Sequence, residues 1–265
     1  MSTSQSTTSS SAIYPDLAEK RVVITGGASG IGAAFVEAFV QQGARVTFLD
    51  IADADGLALA QKLKDAKHAP RFLRCDLTDM CDIANAFKVI HESMGATDIL
   101  INNAANDVRH NLAETTPAMW DASIAVNLRH LYFCAQAVVP SMQARGSGVI
   151  LNLGSISWHL ALPNLAMYMT AKAGIEAMSR GMARDLGVHG IRVNTIIPGA
   201  IKTPKQTLLW HTPEAEAKIF NGQCLRLRVE PEDVANLALF LASSNAAKCT
   251  GREYYIDAGY YGDGA

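Results

Sequence analysis

The segment TGGASGIG at positions 25–32 decides the fold of this chain. It closes an apolar, β-branched run that starts at Arg21, and a helical stretch from about Ile31 to Gln42 follows it. Glycines let the backbone turn sharply and approach a diphosphate, which then rests on the free N–H groups of the helix N-terminus. A glycine cluster alone is a weak signal, but this position between a strand and a helix is typical of a dinucleotide site.

Beyond this segment, short apolar runs alternate with longer amphipathic stretches. The runs predict strands near 45–50, 71–76, 98–104, 148–155, 192–199 and 253–259. The stretches predict helices near 53–66, 80–94, 117–144, 168–187 and 231–243, with an irregular segment over 200–229. Strands that are apolar throughout indicate parallel pairing with both sheet faces covered. We therefore predict an α/β fold, a single-domain Rossmann-type doubly wound parallel sheet of about seven strands with helices on both faces.

Composition limits the classes of function. The 265 residues, 49% of them hydrophobic, suit one large core, so we predict one catalytic domain over 15–265 after a disordered Ser/Thr-rich tail over 1–14. A net charge of −2 with scattered Lys and Arg argues against nucleic acid or a membrane surface as a partner. No apolar run reaches the length of a transmembrane helix, and the chain is expected in the cytoplasm.

The five cysteines are widely spaced and lack the spacing of metal ligands or of a disulfide framework. Reduced thiols and no metal are the expectation. Asp50 ends the second predicted strand, where a carboxylate accepts hydrogen bonds from the adenosine ribose and repels a 2′-phosphate. With no Arg or Lys in the glycine segment or immediately after Asp50, the predicted cofactor is NAD rather than NADP.

The spacing Gly26-x3-Gly30-x-Gly32 is similar to the cofactor motif of the short-chain dehydrogenase/reductase family. Asn102-Asn103-Ala104-Ala105 resembles the family's Asn-Asn-Ala-Gly motif, with Ala105 in place of the usual glycine. The resemblance implies a set of residues that contact the cofactor: Gly26, Ser29, Gly30, Ile31, Gly32, Asp50, Ile51, Asp76, Leu77, Asn103, Ala104, Tyr168, Lys172, Pro198, Gly199, Ile201 and Thr203.

Four residues match the catalytic tetrad of that family: Asn127, Ser155, Tyr168 and Lys172. Tyr168 and Lys172 lie four apart on one predicted helix and so share a face. A nearby cation favours the phenolate, so Lys172 or the nicotinamide charge is expected to lower the pKa of Tyr168, the general base. Ser155 is expected to hold the reacting oxygen through a hydrogen bond. The resemblance implies that Asn127 positions a water molecule that relays the proton.

Segments outside the shared motifs, among them RHNLAETT, GSISWHLALPNL and CTGREYYIDAG, resemble bacterial NAD-dependent aldose 1-dehydrogenases. The resemblance implies oxidation of an aldose, D-xylose first, at C1 to the aldonolactone. A sugar needs polar groups and an apolar face, which this chain offers after the fourth and fifth strands. The expected substrate residues are Asn106, Arg109, Ser155, Ser157, Trp158, His159, Asn164, Tyr168 and Gln206.

Alternatives remain open at this point. Other aldoses (L-arabinose, D-galactose, L-fucose) differ by few hydrogen bonds, and a reductase of a 3-oxoacyl or steroid substrate would need a more apolar pocket. A non-catalytic NAD-sensing protein would have lost tetrad residues, and all four are present. The helix near 117–144 and the one that starts at Tyr168 resemble those that pair between subunits in the family, which implies a homotetramer or a homodimer.

Overall fold

The computed structural model describes residues 12–203 and 212–260. Seven strands form one parallel sheet in the order β3-β2-β1-β4-β5-β6-β7. The strands are β1 Arg21–Thr25, β2 Arg45–Asp50, β3 Arg71–Arg74, β4 Ile99–Asn102, β5 Gly148–Leu153, β6 Ile191–Pro198 and β7 Glu253–Ile256. The predicted doubly wound sheet is confirmed.

Helices cover both faces of this sheet. They are α1 Gly30–Gln41, α2 Asp53–Lys62, α3 Met80–Met94, α4 Pro117–Ile124, α5 His130–Arg145, α6 Ala166–Leu186, α7 Pro213–Gly222 and α8 Pro231–Ala242. Successive side chains of β1 point to opposite faces, so Val22 and Ile24 pack in the core with α1 and α8. Val23 packs in the other core, with α3 and α5.

The strand order reverses between β1 and β4, which are hydrogen-bonded neighbours with Val22 opposite Ile99. Connections leave these two strands toward opposite halves of the sheet and open a crevice beyond their carboxyl ends. The loops that carry the predicted cofactor and catalytic residues begin at this edge.

The helix predicted over 117–144 is interrupted. Between α4 and α5 the chain forms a π-helical turn, Ala125–Arg129, which holds Asn127. The Asn127 carboxamide accepts a hydrogen bond from the backbone N–H of Asn106 at 2.7 Å and donates to its carbonyl at 3.0 Å. A wider turn of this kind is common at functional sites and is not visible in apolar periodicity.

The segment predicted to be irregular over 200–229 contains helix α7. Thr212 caps it, because its hydroxyl accepts a hydrogen bond from the Ala215 N–H at 3.2 Å, and Pro213 occupies the first turn. Glu214 and Glu216 follow in that turn, where their negative charges stabilise the positive end of the helix dipole. These capping signals were present in the sequence and outweighed its weak apolar periodicity.

Most of the tail predicted over 1–14 lies outside the described residues. In the described ranges, no helix combines the length and the hydropathy needed to cross a membrane. The same ranges hold no group of three His, Cys, Asp or Glu side chains placed for a metal ion. All five cysteines are free thiols.

Candidate active site

A cavity of about 1020 Å³ opens at the carboxyl ends of the strands, between the glycine segment and α6. Every residue predicted to contact the cofactor lines it, from Gly26 to Thr203. Of the tetrad, Ser155, Tyr168 and Lys172 line the same cavity. The fold thus brings the cofactor motif and the catalytic side chains into one space.

The glycine segment forms a tight turn that depends on its glycines. Gly26 adopts φ +64°, a left-handed conformation that favours glycine. A Cβ on Gly32 would lie 1.8 Å from the Gly26 carbonyl oxygen, so only glycine allows this close crossing. The Asn103 carboxamide donates to the carbonyls of Thr25 at 3.1 Å and Gly26 at 2.8 Å, which fixes the turn from the β4 side.

Asp50, the last residue of β2, lines the same cavity. Its carboxylate accepts backbone N–H bonds from Ala28 at 2.9 Å, Ile51 at 2.8 Å and Ala52 at 3.1 Å. These bonds orient the carboxylate at the edge of the cavity. The described cations that line the cavity are Arg109, Lys172 and Lys218, which come from the β4 loop, α6 and α7 rather than from β1 or β2.

Tyr168 and Lys172 lie one turn apart on α6, and the Lys172 ammonium is 5.4 Å from the centre of the Tyr168 ring. Lys172 is almost fully buried, and its Nζ donates to the Leu153 carbonyl oxygen, 2.7 Å away at the end of β5. The hydroxyl of Ser155, two residues beyond Leu153, hydrogen-bonds Tyr168. Side chains from α6 and from the end of β5 therefore meet at one point.

The surroundings of Tyr168 act on its pKa in opposite directions. Burial raises the pKa of Tyr168 and the charge of Asp107 adds to this rise, while the hydrogen bond from Ser155 acts against it. Burial also lowers the pKa of Lys172 to about 7, with Asp107 opposing. Desolvation disfavours the charged form of Lys172, which was expected to stabilise the phenolate, and sequence spacing does not reveal this burial.

The predicted substrate residues divide into two groups. Asn106, Arg109, Ser155, Ser157 and Tyr168 line the cavity. Gln206 lies outside the described residues.

Three other predicted substrate residues do not line the cavity. Trp158 and His159 instead contact Glu176 on α6, at 2.7 Å and 3.2 Å. Asn164 contributes its backbone, because its carbonyl accepts the His110 N–H at 2.8 Å. Its own φ of +60° belongs to the turn that makes this contact. A contact of these three side chains with a sugar stays a prediction.

Asp107 is a cavity residue that sequence reasoning missed. It lies between Asn106 and Arg109, so its position in the polar run after β4 was the available signal. Its charge acts on Tyr168 and on Lys172. From α7, Ala215, Lys218 and Ile219 also line the cavity, and no motif marked them.

The fold and the site define a short-chain dehydrogenase/reductase, an oxidoreductase that uses a nicotinamide cofactor. The family model described as enoyl-(acyl carrier protein) reductase matches residues 26–261, and the chain belongs to this family. It is 55% identical to D-xylose 1-dehydrogenase of Caulobacter vibrioides over 251 residues, covering 95% of this chain and 99% of that protein.

Two further comparisons agree with this assignment. A Rhizobium meliloti protein named "Probable galactose dehydrogenase" is 44% identical over 249 residues, with 94% of this chain and 97% of that protein covered. The crystal structure of gox2181 superposes with a TM-score of 0.87 at 29% identity, covering 92% of this chain and 97% of that one.

Proposed function

We propose that this chain oxidises an aldose, D-xylose first, at C1 with NAD as the hydride acceptor and releases the aldonolactone. The observation that carries the proposal is the meeting of Ser155, Tyr168 and Lys172 in the cavity that the cofactor motif also lines. The 55% identity to a D-xylose 1-dehydrogenase over nearly the whole of both chains supports the choice of sugar.

In this proposal Tyr168 takes the proton of the C1 hydroxyl while hydride leaves C1. Bound NAD supplies the hydride acceptor and a positive charge beside Tyr168, which favours the phenolate. Ser155 donates a hydrogen bond that also favours the phenolate and holds the reacting oxygen beside it. Lys172, held by the Leu153 carbonyl, supports Tyr168 from the next turn of α6.

We assign Asn127 a different contribution from the one first expected of its side chain. The carboxamide is buried, does not line the cavity and holds both backbone groups of Asn106. It therefore fixes the start of the loop that carries Asp107 and Arg109. The proton relay through a water near Asn127 stays a prediction.

NAD is the proposed cofactor because Asp50 places a carboxylate where the adenosine ribose of a dinucleotide lies in this fold. A 2′-phosphate there would meet this negative charge. The described cations that line the cavity come from other parts of the chain, namely the β4 loop, α6 and α7. Residues 15–265 are proposed as one catalytic domain.

For the sugar, Asn106, Asp107, Arg109 and Ser157 are the proposed polar contacts beyond C1. The Ser157 side chain is buried and its hydroxyl has no hydrogen-bond partner among the described residues. Such a group gains most from a ligand hydroxyl. D-Galactose is the second candidate substrate, because of the 44% identical relative that carries its name.

A homotetramer or homodimer is proposed through α4, α5 and α6. Met119 and Trp120 on α4 and Tyr132 on α5 are exposed apolar side chains, and such residues are enriched in subunit contacts. Light scattering on wild type and on Tyr132→Glu tests this, because a charge in a buried contact should lower the measured mass. The free thiols favour a reducing compartment, and we propose the cytoplasm.

Formation of NADH with a panel of pentoses and hexoses tests the proposed function. D-Xylose should give the highest kcat/KM, with D-galactose, L-arabinose and L-fucose behind it, and NADP should support little turnover. A 3-oxoacyl and a steroid substrate serve as the comparison arm. Turnover of either of these without turnover of any aldose would refute the proposal.

A further inference from the structure

A buried carboxylate lies behind the catalytic side chains. Glu176 is on α6, one turn beyond Lys172 and two turns beyond Tyr168, so the three residues share one face of the helix. Its side chain is only 9% exposed. Its Oε1 accepts the indole N–H of Trp158 at 2.7 Å and lies 3.2 Å from Nε2 of His159.

The same cluster reaches the sheet. The imidazole of His159 stacks on Trp158 with ring centres 3.7 Å apart, and its Nε2 lies 3.1 Å from the hydroxyl of Tyr255 on β7. None of Trp158, His159, Glu176 and Tyr255 lines the cavity among the described residues. These side chains thus join the segment after β5 to α6 and β7 from outside the cavity.

The segment that this cluster holds begins with Ser155. The Ser155 hydroxyl accepts the N–H of Ser157 at 3.1 Å, and the Leu160 N–H donates to the carbonyl of Ile156 at 3.1 Å. These hydrogen bonds make the segment compact, with Trp158 three residues from Ser155. Glu176 also lies close to the residue before Ser155, since a Cβ on Gly154 would be 3.5 Å from Oε1.

A buried carboxylate is costly unless it is hydrogen-bonded, and here its donors come from the segment that must be held. We propose that Glu176 is a positioning residue that ties the segment after β5 to α6 and so fixes the Ser155 hydroxyl against Tyr168. This inference rests on the proposed function for its kinetic test, because Ser155 is assigned there as the group that holds the reacting oxygen.

The test compares two substitutions of Glu176 with a matched control. Glu176→Gln keeps an oxygen that accepts the indole N–H, whereas Glu176→Leu has a similar size and no acceptor. Glu253→Gln is the control. Glu253 also accepts hydrogen bonds from a residue of α6, Arg180, at 2.7 Å and 3.0 Å. In the described residues it makes no hydrogen bond to the segment after β5.

We expect Glu176→Leu to lower kcat with D-xylose about tenfold or more, because small misplacements of a catalytic group cost this much or more. Glu176→Gln should stay within about threefold of wild type, as should Glu253→Gln, by the same reasoning. The dissociation constant for NAD should be unchanged in all three variants, since Glu176 does not line the cavity.

The double variant with Ser155→Ala separates positioning from a general loss of stability. If Glu176 acts through Ser155, Glu176→Leu should cost little further kcat once the Ser155 hydroxyl is gone. An equal loss of kcat in both backgrounds would overturn the inference. A lower melting temperature with unchanged kcat would do the same, because it would leave Glu176 with a structural role only.

Crystal structures of wild type and Glu176→Leu give a readout that does not depend on the sugar. Ser155 should move away from Tyr168 in the variant, and an unchanged separation would contradict the inference. If wild type turns over no aldose, the proposed function fails, and this comparison still decides whether Glu176 positions Ser155.

Discussion

The cavity has two halves that are built in different ways. In the cofactor half, which follows β1, β2 and β3, the predicted residues from Gly26 to Leu77 all line the cavity. In the substrate half, which follows β4 and β5, Ser157 lines it, but Trp158, His159 and Asn164 do not. The same sequence motifs and resemblance predicted both halves.

Local backbone geometry explains why the residues of the first half line the cavity as a group. The turn at Gly26 and the hydrogen bonds of Asp50 involve residues close in sequence to a strand end, and their conformations follow from that position. In the second half, side chains take their direction from distant partners. Glu176 accepts the indole N–H of Trp158 from a position eighteen residues away in the chain, and no local sequence pattern predicts this contact.

The largest expected effect lies where the two halves meet. Tyr168→Phe removes the phenolic oxygen of Tyr168 from the cavity, where Tyr260 is the other lining tyrosine among the described residues. We expect kcat to fall about a thousandfold, because general base catalysis contributes a rate enhancement of this size. The dissociation constant for NAD, measured by fluorescence titration, should change little. Tyr14→Phe, at a tyrosine that does not line the cavity, is the control, and unchanged turnover of Tyr168→Phe would refute the catalytic assignment.

Gly32→Ala tests the cofactor half by itself. The new Cβ would lie 1.8 Å from the Gly26 carbonyl, so the turn must open and NAD affinity should fall about a hundredfold. Gly181→Ala on α6 is the matched control, since its Cβ would contact nothing within 4 Å. Titration calorimetry measures both variants, and equal affinities would contradict the close crossing at Gly32.

Asp50→Ala tests the choice of dinucleotide. Loss of hydrogen bonds to a charged carboxylate should reduce the preference for NAD over NADP by about ten- to a hundredfold. The ratio of the two kcat/KM values is the measurement. An unchanged ratio in Asp50→Ala would contradict the proposed contact between Asp50 and the ribose. The control is Asp53→Ala, in the exposed first turn of α2, for which the ratio should equal that of wild type.

A smaller effect is expected in the substrate half from Asp107→Asn. The negative charge of Asp107 raises the pKa of Tyr168, so its removal lowers that pKa. The phenolate then forms at lower pH, and the rising limb of the profile of kcat/KM against pH should move to lower pH. The control, Asp121→Asn on α4, should leave the pH profile unchanged. A rising limb that moves to higher pH in Asp107→Asn would contradict the expected fall in the pKa of Tyr168.

The sheet, its strand edges and the shared cavity were predictable because the apolar runs and the glycine segment are local signals. The π-helical turn at Asn127 was not, because it depends on the contact with Asn106 across twenty-one residues. The effect of burial on the pKa values of Tyr168 and Lys172 was not predictable, because spacing on a helix shows that Lys172 is near but not that it is buried. Helix α7 has capping signals at Thr212 and Pro213, but its apolar periodicity is too weak to predict a helix by itself.

Transfer of deuterium from D-xylose labelled at C1 tests the central claim most directly. If Tyr168 takes the hydroxyl proton while hydride leaves C1, the reduced NAD should carry the deuterium and the lactone should not. Reduced cofactor without the label, or no reduction with any labelled aldose, would contradict the account.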